Sequence, residues 1–474
     1  MLSPQPQNPV FQDRDEALAF LFGRLDYERT CDIKYCPESF KLDRMRSLLE
    51  QLGNPDQALR IVHVAGTKGK GSTATMIAAV LQAAGYRTGL YTSPHLDRVE
   101  ERAAIDGKPC SERDIVELLS IIHDAVKNLD YEVTLGECMR GPTFFEITTA
   151  MAFLHFAHQQ VDAAVVEVGL GGRLDSTNVC NPLVSVITSI SFDHTKQLGE
   201  TLAEIAFEKA GIIKPGVPVI CGVTNPDARD VIRKMAAEKR CQLTEIDRNF
   251  SVRYQLDDQT QSPPSATISF CDHANGSANW MENMSIGLIG SHQASNAAVA
   301  IATLKQLDGQ DFSVSESAIR NGLTNVRCPA RFEVVSSEPT VIIDAAHNVA
   351  SIEAFIDTLE THFPTQPRIL IFATSRDKDA PGMLQRLLPH FQQIILTRYS
   401  ENPRFVTPSE LFEISTKIQD ESKSPAFQKT EISMYEQPEM ALKHALEEAS
   451  KQTNLCIAGS SFIAGEIRRL VLKA

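Results

Sequence analysis

The stretch HVAGTKGKGSTATMIAAVLQAAGYRTG, residues 63–89, constrains this chain more than any other. Just before the glycines, IVHVAG (61–66) is a short β-branched run that suits a buried strand. Beyond them Met76, Ile77, Val80, Leu81 and Ala84 recur at helical spacing, and Gly85 stands where a helix ends. RTGLYTS (87–93) reads as the next strand. Strand, glycine-rich loop, helix and strand make a βαβ unit, from which parallel sheets with helices on their faces are built. Apolar runs of buried-strand type continue the series at VDAAVVEVG (161–169), PLVSVITSIS (182–191) and PVICGV (218–223). Residues 245–285 are polar, with SPPSAT in their middle, and read as a surface β-rich insertion. Helical character returns at HQASNAAVAIATLKQL. A second alternating series, TVIIDAAHN, RILIFATS, QQIILTR and NLCIAGSS, predicts another α/β domain. The fold expected is therefore α/β: a P-loop-type N-terminal domain with a mostly parallel sheet over 1–325, and a smaller Rossmann-like C-terminal domain over 326–474. The length of 474 residues allows this, at roughly 150 residues per domain.

Charge narrows the partners. A formal net charge of −14 argues against nucleic acid and anionic membrane surfaces, which need a basic footprint. An anionic small molecule stays open, because positive charge is concentrated at Lys68 and Lys70. The 10 cysteines are scattered. Cys31 and Cys36 have no matching second pair, so reduced thiols are expected and a zinc site is not. No apolar run reaches the ~20 residues that span a bilayer, and the N-terminus lacks the pattern of a secretory signal. The sequons at Asn275 and Asn283 then carry no weight, and the chain reads as cytoplasmic.

In GTKGKGS, Gly66, Gly69 and Gly71 permit close backbone approach to a phosphate, and Lys70 supplies a point charge. The strict phosphate-loop pattern fails: Gly71 rather than Ser or Thr follows Lys70, Ser72 comes one later, and Val64 stands where the first glycine belongs. A glycine-rich turn with solvated lysines is the plain alternative. Ligands of parallel sheets lie beyond the carboxyl ends of the strands. There EVGLGGRLDSTN places Glu167, LYTS ends on Ser93, and ITSISFDH brings Asp193 and His194. Glu167 and Ser93 suit a phosphate-bound Mg²⁺, which prefers oxygen ligands, whereas His194 is a less typical one. GLGGRL lacks the full dinucleotide fingerprint and precedes DSTN rather than a helix, so that reading is rejected.

Taken in order, HVAGTKGKGS, YTSPHL, PTFFEITTAMAF, EVGLGGRLDSTN, SFDHTKQLGETLAEIAFEKAGIIK, GLIGSHQASNA and IIDAAHN resemble the motifs of the folylpolyglutamate synthase/dihydrofolate synthase family, relatives of the muramyl peptide ligases. The resemblance covers nearly the whole chain, and residues 161–214 are its most specific block. It implies ATP-dependent amide formation between L-glutamate and the carboxylate of dihydropteroate or a reduced folate, and a protein able to use both acceptors. It also makes the glycine after Lys70 normal; the family often has Asn at position 68, where this chain has Lys. By position, Gly69, Lys70, Gly71 and Ser72 would hold the ATP phosphates. Ser93, Glu167 and His194 would carry two Mg²⁺ ions, and Asn296, Arg331 and Asp344 would contact the nucleotide. Thr143, Phe145 and Asp175 match residues near the pterin, and His347 keeps its imidazole although DAAHNV replaces the commoner DGAHNP. Likewise CPAR replaces WPGR. Lys209, in AFEKAGI, matches the lysine that the family carbamylates with CO₂. An ammonium beside Mg²⁺ would be repelled, whereas a carbamate offers two anionic oxygens. A monomer acting on small molecules is expected. A monofunctional version of either activity, a muramyl-type ligase and a catalytically silent nucleotide-binding switch remain the alternatives.

Overall fold

The structure, a computed structural model, describes residues 9–26, 42–134, 141–256, 266–273, 278–310, 312–400, 402–422 and 424–473. Cys31, Cys36 and the sequon at Asn275 lie outside the described residues. Two units divide the chain: Met1–Arg253 with Ser269–Met284 and Ser295–Val326, and Tyr254–Ile268 with Ser285–Ala294 and Arg327–Ala474.

The first unit is built on eight strands: β1 (Ile61–Ala65), β2 (Thr88–Tyr91), β3 (Ala103–Ile105), β4 (Lys108–Pro109), β5 (Ala163–Glu167), β6 (Pro182–Ile187), β7 (Val219–Cys221) and β8 (Leu243–Glu245). Their order is β4-β3-β2-β5-β1-β6-β7-β8. From β2 to β8 every pairing is parallel; β3 and β4 add an antiparallel edge. Every residue of β1 and β5 is buried, as strands covered on both faces require. One core takes the alternate residues Ala164 and Val166 of β5, together with Ile147, Met151 and Leu154 of a helix at Phe144–His158. Another packs Ile187 and Cys221 against Ile205, Ala206 and Ala210 of a helix at Leu202–Ala210. Because the six strands are parallel, the segments leaving β1, β2, β5 and β6 all emerge along one edge of the sheet. That edge positions the site.

The stretch 245–285 is less superficial than its polarity suggests. Glu245 ends β8, and beyond it β9 (Phe250–Leu256), β10 (Ala266–Asp272) and β11 (Asn279–Ser285) form a three-stranded sheet in the order β11-β10-β9. Phe250, Ile268, Phe270 and Met284 are buried there; alternation with polar residues had diluted their signal.

The second unit carries six strands: β12 (Glu333–Ser337), β13 (Thr340–Ile343), β14 (Arg368–Phe372), β15 (Gln393–Leu396), β16 (Glu431–Met434) and β17 (Asn454–Ala458), in the order β12-β13-β17-β14-β15-β16. Only β12 is antiparallel to its neighbour. Alternate residues such as Leu370, Phe372, Ile394, Leu396, Cys456 and Ala458 meet Phe355, Leu359 and Met383 in its core. The α/β expectation, with a large mostly parallel sheet and a second α/β unit, agrees with this architecture. Among the described residues no helix is long and apolar enough to cross a membrane, and the seven cysteines there form no disulfide.

Candidate active site

A helix at Lys70–Ala83 follows β1, and its N-cap is Gly69 at φ 78°. That left-handed conformation favours glycine, and a Cβ here would fall 2.1 Å from Asn296 Oδ1. The loop glycine and Asn296 are thus brought together. The segment following β6 pins the loop from the other side. Thr67 N–H donates to Ser189 O at 2.7 Å, Lys68 N–H donates to Ser189 Oγ at 3.1 Å, and Thr188 Oγ1 donates to Lys68 O at 2.6 Å. Helix N-terminal amides and the Lys70 ammonium therefore share one rigid turn, an arrangement suited to phosphate.

At the end of β5, Glu167 is buried and its Oε2 accepts from Ser93 N–H at 3.2 Å. A Cβ at position 71 would lie 3.4 Å from the same oxygen, so the carboxylate faces the start of the loop helix. Beyond β6, Lys68 Nζ pairs with Asp193 Oδ2 at 3.0 Å, and His194 follows at φ 49°, with its imidazole exposed. Among the described residues no three His, Cys, Asp or Glu side chains converge as a metal cage. A phosphate-bound Mg²⁺ needs none, since waters and phosphate oxygens fill most of its positions.

Lys209 is not a surface lysine. Its side chain is buried near the end of the Leu202–Ala210 helix. Burial, and then the charges of Lys70 and Lys68, pull its ammonium down to about 7; Asp193 and Asp175 act in the opposite direction. The helix end is tied to the glycine-rich segment after β5: Arg173 N–H donates to Glu208 O at 2.8 Å, and the Arg173 guanidinium pairs with the Glu208 carboxylate at 2.8 Å. One carbonyl that a helix terminus leaves unpaired is satisfied in this way.

Asp175 has a different environment from the one its sequence position suggests. Its Oδ2 accepts from Leu170 N–H at 2.9 Å, and its Oδ1 accepts from Thr177 N–H at 3.0 Å and Thr177 Oγ1 at 2.5 Å. Burial raises its pKa against those hydrogen bonds. The carboxylate closes the loop on itself. Beneath it, His63 of β1 donates from Nε2 to Thr177 Oγ1 at 2.9 Å, since the hydroxyl proton is already committed to Asp175. Burial, with Lys214 second, lowers His63 to about 3, so it stays neutral. His63 was not singled out by sequence; its only signal was a polar residue inside an otherwise apolar strand run. Thr143 caps the Phe144–His158 helix through Glu146, and Arg44 holds Glu146 at 2.8 Å. Phe145 packs on Gly169, where a Cβ would meet the ring at 2.4 Å, and its ring centroid lies 6.2 Å from that of Tyr91.

Arg331, Asp344 and His347 belong to the second unit. Asp344, just past the end of β13, is half-buried; its two oxygens accept from Phe332 N–H and Ala346 N–H, each at 2.7 Å. Burial raises its pKa, with Arg331 opposing. The turn it holds contains Ala330 at φ 53° and Phe332 at φ 46°. His347 donates from Nδ1 to Ala345 O at 2.9 Å, since a carbonyl can only accept.

A mostly parallel sheet with a glycine-rich loop leading into a helix after its first strand, followed by a second mixed sheet, defines the class as a Mur-type ligase. The Mur ligase middle domain family matches residues 64–304, and the Mur ligase, glutamate ligase domain family matches residues 330–461. Within that class the chain belongs to the folylpolyglutamate synthase/dihydrofolate synthase family of ATP-dependent, amide-forming ligases. It is 35% identical to the dihydrofolate synthase/folylpolyglutamate synthase of Bacillus subtilis (strain 168), over 90% of this chain and 94% of that protein. The folylpolyglutamate synthase of Mycobacterium tuberculosis complexed with ADP superposes with a TM-score of 0.82 at 31% identity, covering 97% of this chain and 99% of the other. E. coli FolC in complex with DHPP and ADP gives a TM-score of 0.77 at 29% identity, covering 99% of each.

Proposed function

We propose that this chain is bifunctional: with ATP it joins L-glutamate to dihydropteroate and also to the γ-carboxylate of (poly)glutamyl folates, acting as a cytoplasmic monomer. The observation that carries this reading is Phe145 packed on Gly169, two residues past Glu167. A flat aromatic surface for a pterin then lies beside the carboxylate that faces the phosphate loop. The bifunctional B. subtilis relative supports the same reading. Residues 1–325 are taken as the ATP-binding part and 326–474 as the glutamate-ligase part.

An amide does not form directly from a carboxylate and an amine at neutral pH, because oxide is a poor leaving group. In the proposed sequence an acceptor carboxylate oxygen attacks the γ-phosphorus, the bond to ADP breaks, and an acyl phosphate results. The glutamate amine attacks its carbonyl, inorganic phosphate leaves, and a proton is lost. The protein positions the reactants and offsets negative charge. Gly69, Gly71 and Ser72 offer backbone amides to the phosphates and Lys70 a charge. Asn296, Arg331 and the turn that Asp344 holds contact the nucleotide, while Thr143, Phe145, the Asp175 loop and His347 contact the substrates. Glu167, Ser93 and His194 supply a carboxylate, a hydroxyl and an imidazole, a donor set compatible with two Mg²⁺ ions completed by phosphate and water. When bound, such ions screen the triphosphate. Lys209, buried and readily neutral, has a lone pair that can attack CO₂ and release a proton, leaving a carbamate anion.

Incubation with ATP, glutamate and either dihydropteroate or a reduced folate, followed by product mass, tests the reading. One added glutamate on each acceptor is expected, with ATP consumed only when glutamate and an acceptor are both present. Product from a single acceptor reduces the chain to a monofunctional ligase; nucleotide binding without product overturns the proposal in favour of a silent switch.

A further inference from the structure

Asp193 stands between two groups so far treated apart. Its Oδ2 receives the Lys68 ammonium at 3.0 Å, and its Oδ1 accepts the backbone N–H of His194 at 3.0 Å. His194 has φ 49°, a conformation that non-glycine residues hold only where their surroundings fix it. Lys68 is well placed to fix it, because its own backbone is anchored. Its N–H donates to Ser189 Oγ, and its carbonyl accepts from Thr188 Oγ1 at 2.6 Å and Ser189 Oγ at 3.0 Å. The Lys68 and Asp193 side chains are 28% and 11% exposed. For a pair this largely buried, the cost of desolvation offsets much of the attraction, so its net contribution to stability is small. Its geometric consequence is larger: it ties the loop after β1 to a carboxylate that holds the His194 backbone N–H and lies 3.8 Å from the imidazole Nε2.

We infer that Lys68 is a positioning residue that acts through Asp193 to hold His194 in the geometry for Mg²⁺ beside the nucleotide phosphates. This rests on the reading of His194 as a metal-holding group. Outer partners that orient a metal ligand typically change metal affinity by about 10–100-fold when removed. The competing role is direct contact between the Lys68 ammonium and phosphate.

Calorimetric titration of the full-length protein with ADP, once in EDTA and once in Mg²⁺, separates these. The ratio of the two dissociation constants reports the metal contribution. Lys68→Met and Asp193→Asn are each expected to lower that ratio about 10-fold while leaving the EDTA value unchanged. The double variant should be no worse than either single, and Lys68→Arg should recover most of the ratio. If the Met variant does not fold, Lys68→Gln takes its place, with the same expectation. Weaker ADP binding in EDTA for Lys68→Met but not for Asp193→Asn would overturn the inference in favour of phosphate contact; additive losses would also overturn it. His194→Ala is the control. A parental ratio in that variant sinks the metal reading itself, whereas a reduced ratio there with a parental one in Lys68→Met sinks only the role given to Lys68.

Discussion

The two sheets use the charge at their strand ends in opposite ways. At the end of β13, both Asp344 oxygens are taken up by backbone amides, and a turn with two left-handed non-glycine residues closes over them. Around the ends of β5 and β6 and the loop after β1, the charged side chains meet one another instead: Asp193 pairs with Lys68, and Lys70, Lys68 and Asp193 all act on the buried Lys209. A carboxylate satisfied on both oxygens by backbone amides fixes backbone. A buried ammonium among other cations is held near its neutral form, which is a condition for chemistry rather than for folding. On this contrast, substitutions at the sheet edge of the first unit cost activity, and those at the sheet edge of the second unit cost stability.

Lys70→Ala carries the largest expected effect. With the proposed role of its charge on phosphate oxygens, kcat/KM should fall on the order of 10²–10³-fold, with far-UV circular dichroism and Tm unchanged. Parental turnover in the folded variant would remove the phosphate cradle from the comparison.

Lys209 comes next, and pH sharpens its case. An ordinary lysine titrates at 10.5, and burial brings Lys209 to about 7. Between those values the unfolded chain binds the extra proton, so stability rises with pH from about 7 to 10.5 and carries the full cost of burial below 7. In EDTA, the Tm advantage of Lys209→Met over the parent should therefore shrink as pH rises through that window. Bicarbonate at mildly alkaline pH should raise the Tm of the parent and not of the variant, because carbamate formation needs the amine. An unmodified mass for active, CO₂-equilibrated protein, under conditions that preserve carbamates, would defeat the assignment.

At the other edge, Asp344→Asn tests the opposite cost. One amide oxygen replaces two acceptors, so either Phe332 N–H or Ala346 N–H loses its partner, and stability should fall by about 1–3 kcal/mol. Denaturant midpoints at constant m-value measure it. A variant as stable as the parent, but unable to bind nucleotide, would make Asp344 a ligand contact and erase the difference between the sheets.

Part of this contrast was legible in the sequence. The change from apolar runs to helical spacing around 61–89 identified the first βαβ unit, and strand-end position alone selected Glu167, Ser93 and Asp193. Chemistry near a strand end is readable because parallel strands bring their carboxyl ends to one edge. Whether a carboxylate faces a ligand or its own backbone is not readable, because it depends on closure of a loop. Asp175 reaches Leu170 and Thr177, and Asp344 reaches Phe332, twelve residues away. His63 was hidden for a related reason: its partners Thr177 and Cys180 lie on a segment 114 and 117 residues further on. The burial of Lys209 likewise depends on how its helix packs against β6 and β7.

The smallest effect belongs to Asp175, which sits at the first edge yet is built like Asp344. In Asp175→Asn the remaining oxygen can keep the Thr177 N–H and hydroxyl, while the new amide faces Leu170 N–H, donor against donor. One lost hydrogen bond predicts about 1 kcal/mol of stability. The acceptor KM should rise only a few-fold through loosening of the loop that carries Gly169 under Phe145, with the ATP KM unchanged. The pH profile adds a second readout. Because burial raises Asp175 above the unfolded carboxyl value, its protonated form stabilises the fold at low pH, and that contribution is lost as pH rises through the folded pKa. The Asn variant should lose this slope, so the parent's stability advantage over it should decline as pH rises out of the acidic range. A large, selective loss of dihydropteroate use with unchanged stability would show that Asp175 turns its carboxylate toward the acceptor when it binds, and would place it with Glu167 rather than with Asp344.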